Sequence, residues 1–475
     1  MPIASLDVPA RRERGARGTI RLACALAAAL GGGCATLIVT PPSVEKPAGP
    51  LSLDAAIALA IRNSPDVWVA EERLNAAQAA IDLAESAFWP TVIVSERFTR
   101  TDTPSRAFSN ILDQGNFDDS IDFNDPGATT NFRTGIAGGL TLYDGGRRGA
   151  RVRAAEAREA SLEAERVTLV RDLAYEVARA FFLVHQARAA ADAAERADEA
   201  LERRLGATEA RFEEGAARRS DVLDARLRRA EAREAAVVAR VSASRAEAAL
   251  GTLLGIGAAE PFELLAPPED PIDETPPLDD VLRRARANRF ELARARSALE
   301  EAWAVVDAAR ASVAPEIGAF GDFGFDDENL MLTNSSWLFG LALVEDLADA
   351  LRTPYRVRAA VSGLAVAMAE ARKAMLGVED DVRNAILDAE AADARAASAG
   401  EAVALADARF RRVEAEYEEG ASDPASVLEA RFALTRAEAG LEVATLERRR
   451  ARVALAHAAG EFPEPPRAAP EVEEP

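Results

Sequence analysis

"RFEEGAARRSDVLDAR" occupies residues 211–226, and "EYEEGASDPASVLEAR" occupies residues 416–431. The two stretches lie 205 positions apart, share eight of their sixteen residues, and each separates long alanine-rich charged segments. The glycine in each stretch, Gly215 or Gly420, suits a tight turn between two helices, because glycine adopts positive φ without strain. The repetition therefore predicts two equivalent helix–turn–helix units in one chain.

Further matches extend this repeat over most of the sequence. "LSLDAAIALAIRNSPDV" (51–67) matches "PPLDDVLRRARANRFEL" (276–292) at an offset of 225, whereas "RVRAA" recurs at Arg151 and Arg356 with an offset of 205. The 20-residue difference between these offsets falls between the two matched regions of each copy. Exposed loops tolerate such changes of length, so we expect a loop there in each copy.

Short runs with period-two alternation of apolar and polar residues flank these loops. They include "GIAGGLTLY" (135–143), "EIGAFGDFGF" (316–325) and "WLFGLALV" (337–344). Alternation of this kind is typical of a strand with two different environments. We predict one β-hairpin in each copy, at about residues 91–143 and 316–346. Glu345 falls where Leu140 stands in the first copy, so the fourth strand is expected to end early.

Proline-free segments predict unusually long helices. One runs from Arg147 to Glu213, roughly 100 Å at the α-helical rise, and another from Tyr355 to Tyr417. Shorter helices are expected at about Leu53–Trp89, Ser220–Leu254, Leu278–Ala314 and Pro424–Ala459. The summed length of one returning helix and one pre-hairpin helix is close to the length of one long helix. The lengths therefore predict a column about 100 Å tall, with the hairpins at one end and the repeated turns at the other.

The N-terminus has the pattern of an exported protein. Five arginines between residues 11 and 21 precede "LACALAAALGGGCATLIV", which predicts a signal peptide over residues 1–33, with a retained membrane helix as the alternative. Cys24 and Cys34 are the only cysteines, which fits an oxidising compartment. Cys34 is a candidate lipidation site because Gly31–Gly33 before it are small, although Leu30 lies one position too far upstream for a good lipobox. No other segment is apolar for long enough to form a transmembrane helix, so entry into a membrane must use strands.

Composition and histidine placement exclude several functions. The formal charge of -22 argues against nucleic acid, whose phosphates need a basic face. His185 and His457 are expected to be isolated on helices, without a grouping at metal-ligand spacing. No catalytic constellation is present, so we expect no enzyme activity, no cofactor and no metal.

These features together define a division of the chain. Besides the signal peptide, it comprises an N-terminal linker (34–50), repeat 1 (51–253, with its tip turn at about 213–219), a Pro/Glu-rich linker (254–275), repeat 2 (276–460, with its tip turn at about 417–424) and a disordered tail (461–475).

Over essentially its whole mature length the chain resembles the outer-membrane efflux proteins of the TolC type. The resemblance rests on "LSLDAAIALAIRNSPDV", the helix-ending Pro90 and Pro315, "LTLYDGGRRGARVRAAEA" and the two turn motifs. It implies an α+β membrane protein in which three chains of four strands close a 12-stranded β-barrel, continued by a long α-helical coiled-coil barrel. Open strand edges cannot survive in hydrocarbon, which agrees with a homotrimer.

The resemblance also implies a function. The protein would be a passive outer-membrane duct of a Gram-negative bacterium, spanning into the periplasm and serving a tripartite efflux or type I secretion system. Its partners would be outer-membrane lipid, a periplasmic adaptor (membrane fusion) protein and an inner-membrane pump of the RND, ABC or MFS type. The rival hypothesis is a periplasmic coiled-coil scaffold or adaptor that does not enter the membrane.

The same resemblance implies three groups of site residues. The adaptor-contacting tips would be Glu214, Gly215, Ala216, Glu419, Gly420 and Ala421, although their glutamates also suit a solvated helix end. The tunnel constriction would involve Glu429, Ser426, Asp221 and Asp224, with helix capping as the competing role of Asp221 and Ser426. An aromatic girdle would contain Trp89, Phe132, Tyr143 and Trp337, for which core packing is the alternative.

Overall fold

A computed structural model describes residues 43–267, 275–419, 421–422 and 424–461. The expected signal peptide, Cys34, Gly420 and nearly all of the expected tail lie outside these residues. The helices are α1 (Leu53–Asn63), α2 (Pro65–Ser86), α3 (Pro104–Asp113), α4 (Arg147–Glu213), α5 (Arg219–Leu253), α6 (Leu278–Asn288), α7 (Phe290–Ala311), α8 (Leu347–Glu418) and α9 (Pro424–Ala458). The strands are β1 (Thr91–Thr101), β2 (Thr129–Tyr143), β3 (Glu316–Asp327) and β4 (Asn334–Val344).

The chain divides into two compact units. The sheet unit consists of Val69–Val167 and Phe290–Gly377 and contains all four strands. The helical unit consists of Met1–Trp68, Thr168–Arg289 and Val378–Pro475, and it contains both tight turns. Among the described residues, no helix is both long enough and apolar enough to cross a membrane.

The core of the helical unit follows the apolar spacing of α4. Val177, Phe181 and Val184 on this helix are fully buried, and Leu250 and Leu254 from α5 and its end pack into the same cluster. Positions three and four residues apart share one face of a helix, so this face can pack against neighbouring helices. Small residues such as Ala174 and Ala178 on the same helix are also fully buried.

The sequence prediction of one helix before each hairpin was wrong, because both helices are broken. At the first break Pro65 provides no backbone N–H and disfavours helical geometry in the preceding residue, and Ser64 is extended at φ -72°, ψ 119°. At the second break Arg289 is extended at φ -75°, ψ 118° although no proline follows. There the Asn288 carbonyl accepts a 3.0 Å hydrogen bond from Arg171 Nη1.

The start of the second long helix also differs from the prediction. Helix α8 begins at Leu347 instead of Tyr355 and contains Pro354. Its first turn is capped by Asp346, whose Oδ1 accepts hydrogen bonds from the backbone N–H groups of Ala348 (2.9 Å) and Asp349 (3.2 Å). A side-chain cap of this kind stabilises a helix start, so the helix forms ahead of the proline.

The four strands form one antiparallel sheet in the order β1-β2-β3-β4. Ile136 of β2 lies opposite Val94 of β1 and Phe323 of β3, and Phe323 lies opposite Trp337 of β4. A register shift between Thr141 and Tyr143 interrupts the β2–β3 pairing near one end. Strand β4 ends at Val344, directly before Glu345, so the expectation of an early end is confirmed.

Candidate functional site: an amphipathic sheet and two tight turns

One face of the sheet is largely apolar and exposed or half-exposed, with Glu96 and Thr134 as a polar pair within it. We call this set the apolar face, and its members are Val92, Val94, Phe98, Phe132, Ile136, Leu140, Ile317, Phe323, Phe325, Trp337, Phe339, Leu341 and Leu343. Val94 is 72% exposed and Trp337 is 78% exposed. A contiguous exposed apolar surface on a sheet marks a surface that is covered by something apolar.

The opposite face carries the charged pairs of the sheet together with the apolar Ile93, Phe320 and Leu338, and we call it the polar face. Arg133 of β2 makes ion pairs with Asp322 and Asp326 of β3. Asn131 Nδ2 donates a 2.7 Å hydrogen bond to Asp326 Oδ1. Asp326 is only 2% exposed, and its carboxylate is bound by both Arg133 and Asn131.

A short helix in the β1–β2 connection was not predicted from the sequence. The stretch reads as a polar, turn-rich loop, but Pro104–Asp113 forms α3, which packs against β2 and β3. Ala107, Phe108 and Ile111 are buried at helical spacing, and Pro104 stands at the first helical position. A proline at a helix start followed by apolar residues three and four apart is the signal that could have identified it.

The expected girdle residues lie at both ends of the sheet. Phe132 lies near the β1–β2 connection, with its ring 5.0 Å from that of Phe98. Trp337 lies opposite Phe323 in the register. Trp89 and Tyr143 are exposed at the other end, where the helices join the strands.

At that helix-joined end the chain turns tightly from β2 into α4. Gly145 has φ +69°, and a Cβ there would lie 2.3 Å from the Ala314 Cβ. Only glycine fits this close approach. Asp144 Oδ2 caps the helix by accepting from Arg148 N at 2.9 Å and from Arg148 Nε at 3.1 Å.

The two repeated turns have matching backbone hydrogen bonds. In the first, Gly215 has φ +77°, and Ala216 N donates to Arg211 O at 2.7 Å. In the second, Ala421 N donates to Glu416 O at 2.7 Å, while Gly420 lies outside the described residues. A hydrogen bond that reaches back five residues around a glycine is the Schellman ending of a helix. Both sets of described tip residues are exposed: Glu214, Gly215, Ala216, Glu419 and Ala421.

The residues expected at the constriction lie on the helices that follow the turns. Asp221 accepts a 3.0 Å hydrogen bond from Arg218 N, so it caps α5. Asp224 and Glu429 are exposed, and neither forms an ion pair with another described residue. Ser426 is half-buried.

The expectation that both histidines are isolated was wrong for His457. Its Nε2 lies 2.9 Å from Asp172 Oδ1, and its ring stacks on Tyr175 with centroids 4.4 Å apart. His185 instead packs against Phe181. Burial, assisted by the nearby Arg188 charge, lowers the pKa of His185 below its usual range. Within the described part of the chain, no group of three His, Cys, Asp or Glu residues could hold a metal ion.

An amphipathic antiparallel sheet continued by long helices that end in tight turns defines a class: channels of the outer membrane that extend into the periplasm. The family model described as "Outer membrane efflux protein" matches residues 56–256 and 281–461. Because these matches cover most of the chain, it belongs to the outer membrane efflux protein family.

One curated protein and two solved structures are similar to this chain. Protein CyaE of Bordetella pertussis is 28% identical over 338 residues, which are 67% of this chain and 68% of CyaE. The outer-membrane channel OprN has the same fold, with a TM-score of 0.70 at 22% identity over 86% of this chain and 89% of OprN. The outer membrane protein VceC of Vibrio cholerae has a TM-score of 0.68 at 20% identity over 86% of this chain and 96% of VceC.

Proposed function

We propose that three copies of this chain close one 12-stranded barrel in the outer membrane and form the passive export duct of an envelope efflux or secretion machine. The observation that carries the proposal is the open, amphipathic sheet. Within the described residues β1 pairs only with β2, and β4 pairs only with β3. Both outer strands therefore carry unsatisfied backbone groups along one edge.

The physical chemistry of the bilayer favours closure by copies of the same chain. Unsatisfied N–H and C=O groups are strongly unfavourable in hydrocarbon, so a lipid-exposed sheet must have no edge. Four strands are too few to close around an interior, whereas bacterial barrels begin at eight. Closing through identical neighbours would pair β1 of one copy with β4 of the next and place the apolar face against lipid.

Two helix contacts support the proposal that the protomer consists of two repeats. Gly255, with φ +73°, packs so closely on Asn63 that a Cβ would lie 2.6 Å from the Asn63 Cβ. Gly460, with φ +74°, packs on Asn288, where a Cβ would lie 2.9 Å from the backbone carbon. The glycines are 205 positions apart and the asparagines 225 apart, which are the two offsets of the sequence repeat.

The exposed tips are the proposed docking points for a periplasmic adaptor, through which an inner-membrane pump delivers the substrate. The first turn is followed by Arg218 and Arg219, whereas the second is followed by Asp423 and Pro424. A partner that contacts both turns would therefore meet two different charge patterns. The proposed constriction of Glu429, Asp221 and Asp224 would favour cations near these tips.

The experiment is extraction of the full chain from the outer membrane in detergent. We expect a trimer by native mass that resists SDS until it is heated, and steady conductance in planar bilayers. A monomeric protein that remains soluble without detergent and gives no conductance would overturn the proposal in favour of the periplasmic scaffold. Crosslinking in cells, followed by purification through this chain, would then identify the adaptor and pump.

A further inference from the structure

The β1–β2 connection is ordered around its own apolar cluster. It spans residues 102–128, whereas residues 328–333 suffice to connect β3 to β4. The Phe108 ring lies 3.8 Å from that of Phe123 and 5.8 Å from that of Phe117, measured between centroids. Because Phe108 is also buried and α3 packs against β2 and β3, this connection has a defined fold.

A buried hydrogen-bond network fixes the connection to the polar face. Gln114 Nε2 donates to Thr130 O at 2.7 Å and to Asn131 Oδ1 at 2.8 Å. Asn334 Nδ2 of β4 donates to Gln114 O at 2.7 Å. Gln114 and Asn131 are only 5% and 6% exposed, and Asn131 continues the network to the buried Asp326. A buried polar network with its partners satisfied specifies one position for the segment it holds.

The network also determines which side of the sheet the connection occupies. Asn131, Asp326 and Asn334 all belong to the polar face, opposite the apolar residues. In the proposed barrel the apolar face meets lipid, so the polar face meets the interior. The connection lies at the sheet end remote from α2 and α4, which is the outer mouth of that barrel.

A helix at this position would narrow the opening of the proposed barrel. A helix with its side chains is about 10–12 Å wide. A barrel of 8 strands is roughly filled by its side chains and one of 16–18 leaves an open channel, so a 12-stranded interior is of intermediate width. Three inward-lying copies of α3 and its following loop would occupy a large part of that opening.

The same segment carries a strong negative charge. Residues 102–128 contain six aspartates and one arginine, and the carboxylates of Asp113, Asp118, Asp119, Asp122 and Asp125 are exposed. A hydrogen bond from Ser120 N to Asp118 Oδ1 at 2.8 Å lowers the pKa of Asp118 below its usual range, so this group stays ionised. Rings of carboxylates in a pore favour cations over anions.

We infer that residues 104–127 form a fixed, cation-favouring restriction at the outer mouth of the duct, which determines the size and charge of what leaves it. This inference rests on the proposed trimeric barrel. Gln114 is the positioning residue, because its side chain joins the segment to Thr130 and Asn131.

The test compares three variants of the full-length protein in planar bilayers with the wild type. The first replaces residues 102–128 by the six residues of the other hairpin, Glu328–Thr333. The second is Gln114→Ala, which removes the amide that holds the segment. The third is the matched control Asn116→Ala, which removes an exposed amide from the same loop. Heat-sensitive migration in SDS reports for each variant whether the trimer has formed.

We expect the shortened hairpin to raise single-channel conductance by about two-fold or more and to admit larger polyethylene glycols, because a wider opening passes more ions and larger solutes. Reversal potentials in a salt gradient should show weaker cation preference. Gln114→Ala should give a smaller rise with fluctuating conductance, and Asn116→Ala should match the wild type.

The outcomes separate the restriction from the duct itself. A wild-type protein that forms no trimer and no pore overturns the duct and the restriction with it. Wild-type pores, with unchanged conductance, polymer size limit and ion preference in both Gln114→Ala and the shortened hairpin, overturn the restriction alone. If the shortened chain does not assemble, the comparison of Gln114→Ala with Asn116→Ala decides.

Discussion

The two hairpins of the sheet have strands of similar length but very different connections. Residues 102–128 join β1 to β2 and include a helix, whereas residues 328–333 join β3 to β4. The tight turns of the helical unit behave oppositely: Ala216 and Ala421 donate to carbonyls five residues back at the same 2.7 Å distance. The two hairpin connections differ in length at the end of the sheet that is remote from α2 and α4. The two helix–helix turns instead have the same backbone hydrogen bond.

This contrast indicates where each half of the chain is constrained by packing. The Gly255–Asn63 and Gly460–Asn288 contacts leave no room for a side chain at either glycine. The two hairpin connections share no matched pair of such contacts, because residues 328–333 contain no glycine, so one connection could acquire a buried network while the other stayed short. If the two halves are equivalent where their structures are alike, matched substitutions in the two halves should have matched effects.

The largest effect is expected from a charge on the apolar face. Val94→Arg in β1 and Leu341→Arg in β4 place a guanidinium where the proposed barrel meets lipid. An arginine near the bilayer midplane costs about 2–4 kcal/mol in each protomer. Heat-modifiable trimer in the outer membrane should therefore be strongly depleted for both variants, as measured by SDS gels of membrane fractions with and without heating.

The matched control is Ser95→Arg, one position along β1 and on the polar face. It should assemble normally, because its side chain would lie in the aqueous interior. Equal depletion by Val94→Arg and Ser95→Arg would contradict the assignment of the two faces. Depletion of the trimer by only one of Val94→Arg and Leu341→Arg would show that strands β1 and β4 are not equivalent.

Much of the fold could be predicted from local sequence. The alternation in "WLFGLALV", the glycine of the first turn and the proline-free run of α4 are all short-range signals, and the structure places a strand, a turn and a helix there. The role of the candidate tip residues came from the family resemblance and stays a prediction, whereas the turn that holds the first set is a short-range signal.

The features that were missed depend on contacts between distant parts of the chain. The break at Arg289 follows no proline, and the Asn288 carbonyl bonds instead to Arg171 of another helix. The pairing of His457 with Asp172 likewise joins α9 to α4. The burial of Gln114 depends on Asn131 and on the register of three strands. No local pattern specifies these contacts, so they required the packed structure.

The second largest effect concerns the two glycines that pack on the helix breaks. Gly255→Ala combines a positive φ with a Cβ 2.6 Å from the Asn63 Cβ. We expect a loss of about 3 kcal/mol, from left-handed strain and steric overlap together. Gly460→Ala should behave similarly, since its Cβ would lie 2.9 Å from the Asn288 carbonyl carbon. The measurement is thermal unfolding in detergent, with circular dichroism as the probe of helix content.

Gly257→Ala isolates the strain contribution, because Gly257 has φ +91° and nothing within 4 Å of its Cβ position. It should lower stability by about 1–2 kcal/mol, less than either packed glycine. If all three variants lose the same stability, close packing at the breaks is not what distinguishes Gly255 and Gly460.

A smaller effect is expected at the first tight turn. Gly215 has φ +77° but open space around it, so Gly215→Ala should cost only about 1 kcal/mol. Gly215→Asn should restore part of that loss, because asparagine tolerates this conformation better. Gly206→Ala, inside α4 with open space at its Cβ position, should instead stabilise the helix by up to about 1 kcal/mol. A Gly215→Ala protein as stable as Gly206→Ala would exclude strain at the first turn.

The smallest effect is expected from His185, which has no counterpart in the second half, where the position 205 residues later is Glu390. Burial lowers its pKa in the folded protein, so the folded state binds fewer protons than the unfolded state. The folded protein with neutral His185 therefore has its full stability above the unfolded-state histidine pKa of about 6.5. Its free energy of unfolding declines as the pH falls below that value, because the unfolded state then takes up a proton more readily. His185→Gln should reduce the fall in melting temperature between about pH 7.5 and about pH 5. Because His185 is only half-buried, we expect its effect on stability to be smaller than that of Gly215→Ala. An identical fall in melting temperature in His185→Gln and in the wild type would exclude His185 as a source of acid sensitivity.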